Sequence, residues 1–213
     1  MILTDVCPYT LGTDVVKRND KGSYDDGYFF PIIERNTPIP VSKVERLYTA
    51  SDNQTIIAVE VYQGESRMVK NNVKIGGLEI DVPRGPRGEQ AIDVRYTYDI
   101  NGVLEVDVTV VKTKENKTII IEQNPGQSSP EAIQARLKEL AHLKVHPRDR
   151  SENRLLLARC ERMYEECIGK EREHIAHLTS QFESVLASQD DVAIRHEAAT
   201  LKQNLDALER WLN

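Results

Sequence analysis

The amino-acid sequence predicts an α+β fold: an antiparallel β-sandwich, then a helical region that closes in a three-helix bundle. Three observations predict it. All nine prolines lie between Pro8 and Pro147, and ten of the eleven glycines stand at or before Gly126. Up to Asn124 short apolar alternations are separated by turn residues. Beyond it apolar residues recur at threes and fours, so the period changes from that of a strand face to that of a helix face. The Asn124-Pro-Gly-Gln-Ser-Ser stretch between the two regimes sets the boundary, with residues 1–126 as the β part and 127–213 as the helical part. A chain of 213 residues is long enough for one large core or two smaller ones.

In chain order, Lys17 to Gly27 is a polar run of about ten residues that reads as a long loop. Tyr28 to Ile33, Thr55 to Tyr62 and Lys117 to Glu122 read as strands, with Pro38-Ile-Pro40 and Pro83-Arg-Gly-Pro-Arg-Gly88 as loops. The clearest unit is a hairpin: Ile92, Val94, Tyr96 and Tyr98 alternate with Asp93, Arg95 and Thr97, then Asn101-Gly102 turns the chain, then Leu104, Val106, Val108 and Val110 repeat the pattern. One face of each strand is apolar and the other polar, so one side is expected on a core and the other in water. The helical part starts with a cap: Ser128 or Ser129 accepts from free amides, Pro130 suits the first turn and Glu131 the positive end. Ile133, Leu137, Leu140 and Ala141 form the stripe of that helix, and Val145-His-Pro147 ends or bends it. A second helix is expected from about Arg148 to Ile168, weakened at Gly169, with Leu156, Cys160, Met163 and Cys167 on one side. Ile175, Leu178, Phe182 and Val185 mark a third, and Ile194, Ala198, Leu201, Leu205, Leu208 and Leu212 a fourth.

Composition excludes some partners. With 28 basic against 34 acidic side chains the net charge is -6, too acidic for a protein that holds nucleic acid mainly by its phosphates. The start Met1-Ile-Leu-Thr-Asp5 has no basic segment followed by an apolar run, so neither a signal peptide nor a membrane span is expected, and a cytoplasmic location follows. Cys160 and Cys167, seven apart on a helical pattern, are too distant for a disulfide, and the thiols read as reduced.

No catalytic motif is present. Gly76-Gly77 and Gly85 to Gly88 lack the spacing of a phosphate cradle. His142 with His146, and His174 with His177, have spacings that could bring two imidazoles together as metal ligands, but no third ligand is near and exposed polar positions are preferred. Cys160 and Cys167 share a face with Met163 and read as small buried hydrophobes. Asp25-Asp26 reads as a solvated loop and Asp190-Asp191 as a helix start. No enzyme activity and no metal are expected.

At Asp5-Val-Cys-Pro-Tyr-Thr-Leu-Gly12, Ile33-Glu-Arg-Asn-Thr-Pro-Ile-Pro40, Thr49-Ala-Ser-Asp-Asn-Gln54, Val61-Tyr-Gln-Gly-Glu65 and Gly102-Val-Leu104, the sequence resembles the substrate-binding part of DnaK-type heat-shock chaperones, the seventy-kilodalton class. The likeness covers the whole chain, and Pro31-Ile-Ile-Glu-Arg-Asn-Thr37 with the long loop before it is similar to the HscC-type branch. The resemblance implies a β-sandwich that grips extended peptide and a helical lid. It also implies a missing nucleotidase domain: Ile2-Leu-Thr-Asp5 looks like the end of an interdomain linker, so ATP and Mg belong to a full-length protein and no cofactor to this fragment.

The resemblance also implies residue roles. Leu11, Thr13, Leu47, Ile57, Val59 and Ile92 match the apolar pocket, although for Ile57, Val59 and Ile92 the alternation alone fits pocket and core equally well. Ala50 matches one residue of an arch over the peptide, and Val16 stands where the other would fall, with Tyr24, Tyr28 or Phe29 as alternatives. Asp52 and Arg87 match sandwich residues that latch the lid, against which Asn153 and Leu157 stand in place of an acid and a histidine. Asp5 and Arg35 match positions of interdomain coupling. The partners implied are unfolded or specific client polypeptides, with a J-domain co-chaperone and a nucleotide exchange factor for the full-length protein. Association of copies through exchanged lids stays open. The rival reading is a constitutive assembly module in which the bundle packs on one fixed partner.

Overall fold

A computed structural model describes residues 5–18, 23–122 and 129–212, with side chains to Arg210. The linker reading of residues 2–4, the tip of the 17–27 segment, the cap candidate Ser128 and the side chain of Leu212 lie outside the described residues.

Among the described residues eight strands form two antiparallel four-stranded sheets: β1 (Leu11–Arg18), β2 (Tyr24–Ile33), β3 (Val41–Tyr48), β4 (Ile56–Gln63), β5 (Val73–Asp81), β6 (Ala91–Tyr98), β7 (Val103–Val110) and β8 (Asn116–Glu122). The orders are β2-β1-β4-β5 and β3-β6-β7-β8. Inward-facing aliphatics of both sheets make one core, including Ile33, Val61, Ile80, Ile92, Val94, Val106 and Val108. Tyr96 is fully buried in it and its hydroxyl crosses from β6 to donate to the Gly12 carbonyl on β1 at 3.0 Å. Pro31 sits within β2 without harm, because β2 is an edge strand and its missing N–H costs no central ladder bond.

The sandwich corrects several expectations. Strands β1, β3 and β5 are additional to those the pattern identified. The segment from Lys17 to Gly27 is not a loop along its length: Lys17 pairs with Asp25 and Arg18 with Tyr24, so both flanks are strand and Asp25-Asp26 belongs to β2. The outer face of the β6–β7 hairpin does not simply meet water. Val103 is buried against Ile133 and Leu137 of helix α1 (Pro130–Glu139), with Ile120 beside them. Thr97 is buried and bonded to Ser42 at 3.0 Å, and Glu105 is buried beside Lys144.

Helix α1 is capped by Ser129, whose Oγ accepts from Ala132 N at 3.2 Å, with Pro130 in its first turn. A 3-10 turn, Leu140–Lys144, continues it and brings the Lys144 ammonium to Glu105 at 2.5 Å and Asp107 at 2.7 Å on β7. The chain then divides into two compact units, residues 1–144 and 145–213. The change in sequence character therefore marks a change of secondary structure, while α1 belongs to the compact unit of the sandwich.

The second unit begins with a short turn, Pro147–Asp149, followed by α2 (Ser151–Glu166), α3 (Gly169–Ser188) and α4 (Asp191–Leu212). Helix α2 is shorter than its periodicity predicts. Cys167 is extended and closes α2, and Gly169, at φ +61°, opens α3 instead of weakening the helix before it. Cys160, Met163, Ile175, Phe182, Leu186, Leu201 and Leu205 fill the bundle core. Arg159 ties α2 to Asp206 at 2.7 Å and Glu209 at 2.8 Å on α4. Asp190 Oδ1 caps α4 by accepting from Val192 N at 2.9 Å and Ala193 N at 3.1 Å. The three cysteines are free and buried.

Replacing Lys144 by Met leaves two carboxylates close together and poorly solvated. Its expected cost is about 1–3 kcal/mol, below that of a fully buried pair, whereas Lys144→Arg keeps the charge and loses less. Urea unfolding of the two variants checks this; equal losses would mean that the ion pair does not hold α1 and its turn on the sheet.

Candidate functional site

The residues singled out by the resemblance are spread over strands β1, β3, β4 and β6, the segments that flank them, and helix α2. Register sets the geometry. At one end of β1 Leu11 faces Ile33 of β2 and Gln63 of β4; at the other Arg18 faces Tyr24, the far end of the β1–β2 hairpin. Strand β1 pairs with β4 only at Leu11–Gln63, Gly12–Tyr62 and Thr13–Val61. Beyond Thr13 the hairpin continues through five more residues of β1, and β4 continues to Ile56 along β5, but no ladder pair joins β1 to β4 there. Neighbouring strands are normally hydrogen-bonded along their length, and in a strand paired on one side alternate backbone groups point away from the partner. The edges Asp14–Arg18 of β1 and Ile56–Glu60 of β4 thus border a slot in the sheet with backbone groups directed into it.

The floor of the slot comes from alternation. Leu11 and Thr13 on β1, Ile57 and Val59 on β4, and Ile92 on β6 are all buried, and Leu47, the cross-strand partner of Ile92 on β3, packs half-buried against them. Leu11, Ile57, Val59 and Ile92 are members of the sandwich core itself. The residues that match the family's pocket are therefore core side chains here, with Ile57, nearest the start of β4, more exposed than Val59. Val15 continues the inward face after Thr13 and is half-buried, a position the motifs do not mark and strict alternation does. Val16 lies on the opposite face at 40% exposure.

Polar groups stand where the ladder stops. Thr13 is 1% exposed; among the described residues its hydroxyl and Asp14 Oδ1 make no well-formed hydrogen bond, and the two side chains interact with each other. Burial pushes the Asp14 carboxyl above the usual carboxylate range, and the neighbouring Glu60 adds to this. Glu60 accepts from Lys74 Nζ at 2.5 Å and from the Tyr62 hydroxyl, bonds that hold its carboxyl below its ordinary value and push Tyr62 up to about 12.

Two loops and the start of β2 meet at the hairpin end of the slot. Ala50 N donates to Gln54 Oε1 at 2.8 Å, and Asp52 Oδ1 accepts from Arg87 N at 2.8 Å. Asn53 N donates to Gly85 O at 2.8 Å and Gly88 N to Thr49 O at 3.0 Å, so the β3–β4 and β5–β6 loops are laced together. The guanidinium of Arg87 lies over the ring of Tyr24, 3.1 Å from its centroid. Of the other two aromatic alternatives, Tyr28 lies between Lys17 and Arg67, and Phe29 is buried beside Gly12.

Asp5 and Arg35 lie at the opposite end of β1. Ile39 N donates to Asp5 O at 3.0 Å and Cys7 N to Thr37 O at 2.8 Å, which lays the incoming segment on the β2–β3 turn. Glu65 takes Thr10 N at 3.0 Å and Thr10 Oγ1 at 2.9 Å, and Arg35 Nε stands 3.8 Å from it. Within the helical unit, Asn153 is buried with Nδ2 donating to Pro147 O at 2.8 Å, and Leu157 packs on the bundle core. Both are used in folding their own unit. His174 and His177 are exposed. Among the described residues no three His, Cys, Asp or Glu stand together as metal ligands, and no helix is long and apolar enough to cross a membrane.

Comparison with known proteins bears on the chain as a whole. The family model described as Hsp70 protein matches residues 1–212. A chaperone protein DnaK of Mycoplasmopsis synoviae (strain 53) is 29% identical over 219 residues, covering 100% of this chain and 35% of that protein. Another, from Cenarchaeum symbiosum (strain A), is 38% identical over 132 residues, 62% of this chain and 19% of its own length. The chain thus spans about a third or less of the curated relatives it matches.

The raised carboxyl of Asp14 gives a signed pH effect. A folded-state value above the unfolded one favours folding while the group is protonated, and that contribution is lost as pH rises through the folded value. Asp14→Asn is therefore expected to raise the urea midpoint at neutral pH, with the gain shrinking toward about pH 4, where the unfolded carboxyl also holds its proton. A gain that stays constant with pH would contradict the assignment.

Proposed function

Because the chain belongs to the Hsp70 family, we propose that it is the substrate-binding part of a DnaK-type chaperone and takes an extended apolar polypeptide segment into the slot between β1 and β4. The observation that carries the reading is the end of the β1–β4 ladder at Thr13–Val61 while both strands run on. An extended peptide entering such a gap gains main-chain bonds that depend little on its sequence, and its side chains select by the floor they meet. Burying one Leu or Ile of the client among Leu11, Leu47, Ile57, Val59 and Ile92 contributes roughly 1.5–3 kcal/mol, and ordering the segment costs part of that. Micromolar affinity, about -8 kcal/mol, is the consistent expectation.

The rest of the reading follows the resemblance. Val16 and Ala50 flank the bound segment, the helical unit acts as lid with Asp52 and Arg87 as its sandwich-side anchors, and Asp5 and Arg35 transmit coupling. Asn153 and Leu157, committed within their own unit, weaken that latch. The Pro31-Ile-Ile-Glu-Arg-Asn-Thr37 wording favours the HscC-like branch, working in the cytoplasm with a J-domain co-chaperone and an exchange factor. ATP and Mg would act in a nucleotidase domain of a longer protein. Gly76 and Gly77 lie in β5, where a Cβ on Gly76 would meet Ile121 Cδ1 at 2.6 Å, so closeness of packing explains that glycine.

Fluorescence anisotropy of a labelled heptapeptide with a central Leu run flanked by Arg tests the function. Saturable micromolar binding is expected, lost when the central Leu of the peptide becomes Asp and lost again in Ile57→Asp protein that remains folded by circular dichroism. No binding of this peptide or of a wider peptide array by folded protein would favour the fixed-partner module instead.

A further inference from the structure

We propose that a groove between helices α2 and α4 docks an acidic amphipathic helix of a partner protein. The groove lies wholly within the helical unit and does not depend on the peptide-slot reading. Two ties bound it. Arg150 reaches Asp191 at 2.7 Å near the starts of α2 and α4, and Arg159 reaches Asp206 at 2.7 Å and Glu209 at 2.8 Å farther along both. Pairs in that order mean that α2 and α4 run in the same direction. Both helices line a groove of about 680 Å³ there. Its floor is the edge of the bundle core, with Ile194 buried and Leu156 and Ala198 half-buried. Leu155, 72% exposed, stands on the α2 wall. On the α4 wall Ala198 and Ala199 carry only methyl groups where longer side chains would fill the space.

Length and charge specify the occupant. From Asp191 to Lys202 the α4 wall runs roughly 16 Å, at about 1.5 Å per residue, or about three turns. A helix of that length laid along two parallel helices becomes the fourth member of a bundle, its apolar residues directed at the floor at spacings of three and four. The floor alone would accept many such helices, and charge narrows the choice. Arg150, Arg159, Arg195 and Lys202 line the groove against two acids, Glu152 and Asp191, a local reversal of sign in a chain whose net charge is -6. Arg150 and Arg159 are used in the ties. Arg195 and Lys202 are exposed and make no ion pair among the described residues. They stand seven residues, about two turns, apart along the α4 wall. A helix with Glu or Asp beside its apolar stripe meets both cations, and a basic one is repelled. Such complementarity sets partner choice and orientation more than strength.

The probe is a labelled peptide of about 16 residues, long enough to form a helix, built from Leu, Ala and Glu with Leu at spacings of three and four and Glu flanking that stripe. Its anisotropy is titrated with the whole chain. Saturable binding is expected, weakened roughly tenfold when Arg195 and Lys202 both become Glu. Ala199→Trp, which fills the groove from an exposed position, should weaken it at least as much and repeats the test should the double variant fold poorly. A peptide with Ser in place of Leu, or Lys in place of Glu, should also bind roughly tenfold more weakly. Ile57→Asp protein should bind the acidic peptide as wild type does, and both groove variants should leave the Arg-flanked heptapeptide unaffected. Failure of the heptapeptide to bind would remove the slot reading and leave the groove standing. Folded protein that does not bind the acidic peptide up to ~1 mM, loss of binding in Ile57→Asp protein, or undiminished affinity in the groove variants would overturn the proposal. So would a dimer in sedimentation velocity that Ala199→Trp dissociates, since the groove would then hold a second copy of this chain.

Discussion

The hydrogen bond from the Tyr96 hydroxyl to the Gly12 carbonyl joins the two sheets at the place where strand β1 is about to leave β4. Its donor is fully buried, and burial pushes the phenol well above its ordinary range, so the proton stays on the donor at any working pH. Its acceptor is a glycine for a steric reason: a Cβ there would stand 2.1 Å from the Phe30 carbonyl oxygen of β2, a clash with backbone that no side-chain rotation relieves. Close packing of β1 on β2 and the reach of Tyr96 through the core therefore converge on one residue. One position later, at Thr13, pairing with β4 ends.

A single set of side chains then does two jobs. Leu11, Ile57, Val59 and Ile92 fill the space between the sheets, and the same residues form the floor over which β1 and β4 separate. The polar groups of the slot are few and local: the Thr13 hydroxyl, the Asp14 carboxyl and the Glu60–Lys74–Tyr62 group. Backbone bonds also join the β3–β4 and β5–β6 loops at that end, Asn53 N to Gly85 O and Gly88 N to Thr49 O among them. The result is a gap in the ladder with an apolar floor, bordered by the β1–β2 hairpin on one side and by β4 on the other.

Much of the fold is legible in local periods. The β6–β7 hairpin, the helical stripes and the Ser129-Pro130 start each announce themselves within a dozen residues. Strand β3 does not: Val41, Val44 and Leu47 recur at three, a helical spacing, and its strand form comes from pairing with β6 along its whole length. Strand β5 is masked by Gly76-Gly77, whose meaning appears only when Ile121 of the other sheet is in place. The flanks of the 17–27 segment read as loop because their alternation is polar on both faces. Alternation also shows that Leu11, Thr13 and Val15 share a face, yet nothing in it fixes where the ladder to β4 stops. The stacking of Tyr24 on Arg87 joins elements distant in sequence, and no local signal encodes it.

The account stands on one claim, that the edges of β1 and β4 beyond Thr13 and Val61 are vacant ladder positions that a bound strand fills. Backbone amide hydrogen exchange, resolved by residue and measured with and without saturating Leu-rich heptapeptide, addresses it directly. The account predicts slowed exchange at alternate amides within 14–18 and 56–60, with little change in the β6–β7 hairpin, whose amides are already paired. Protection confined to the helical unit, or spread evenly over both sheets, would contradict it.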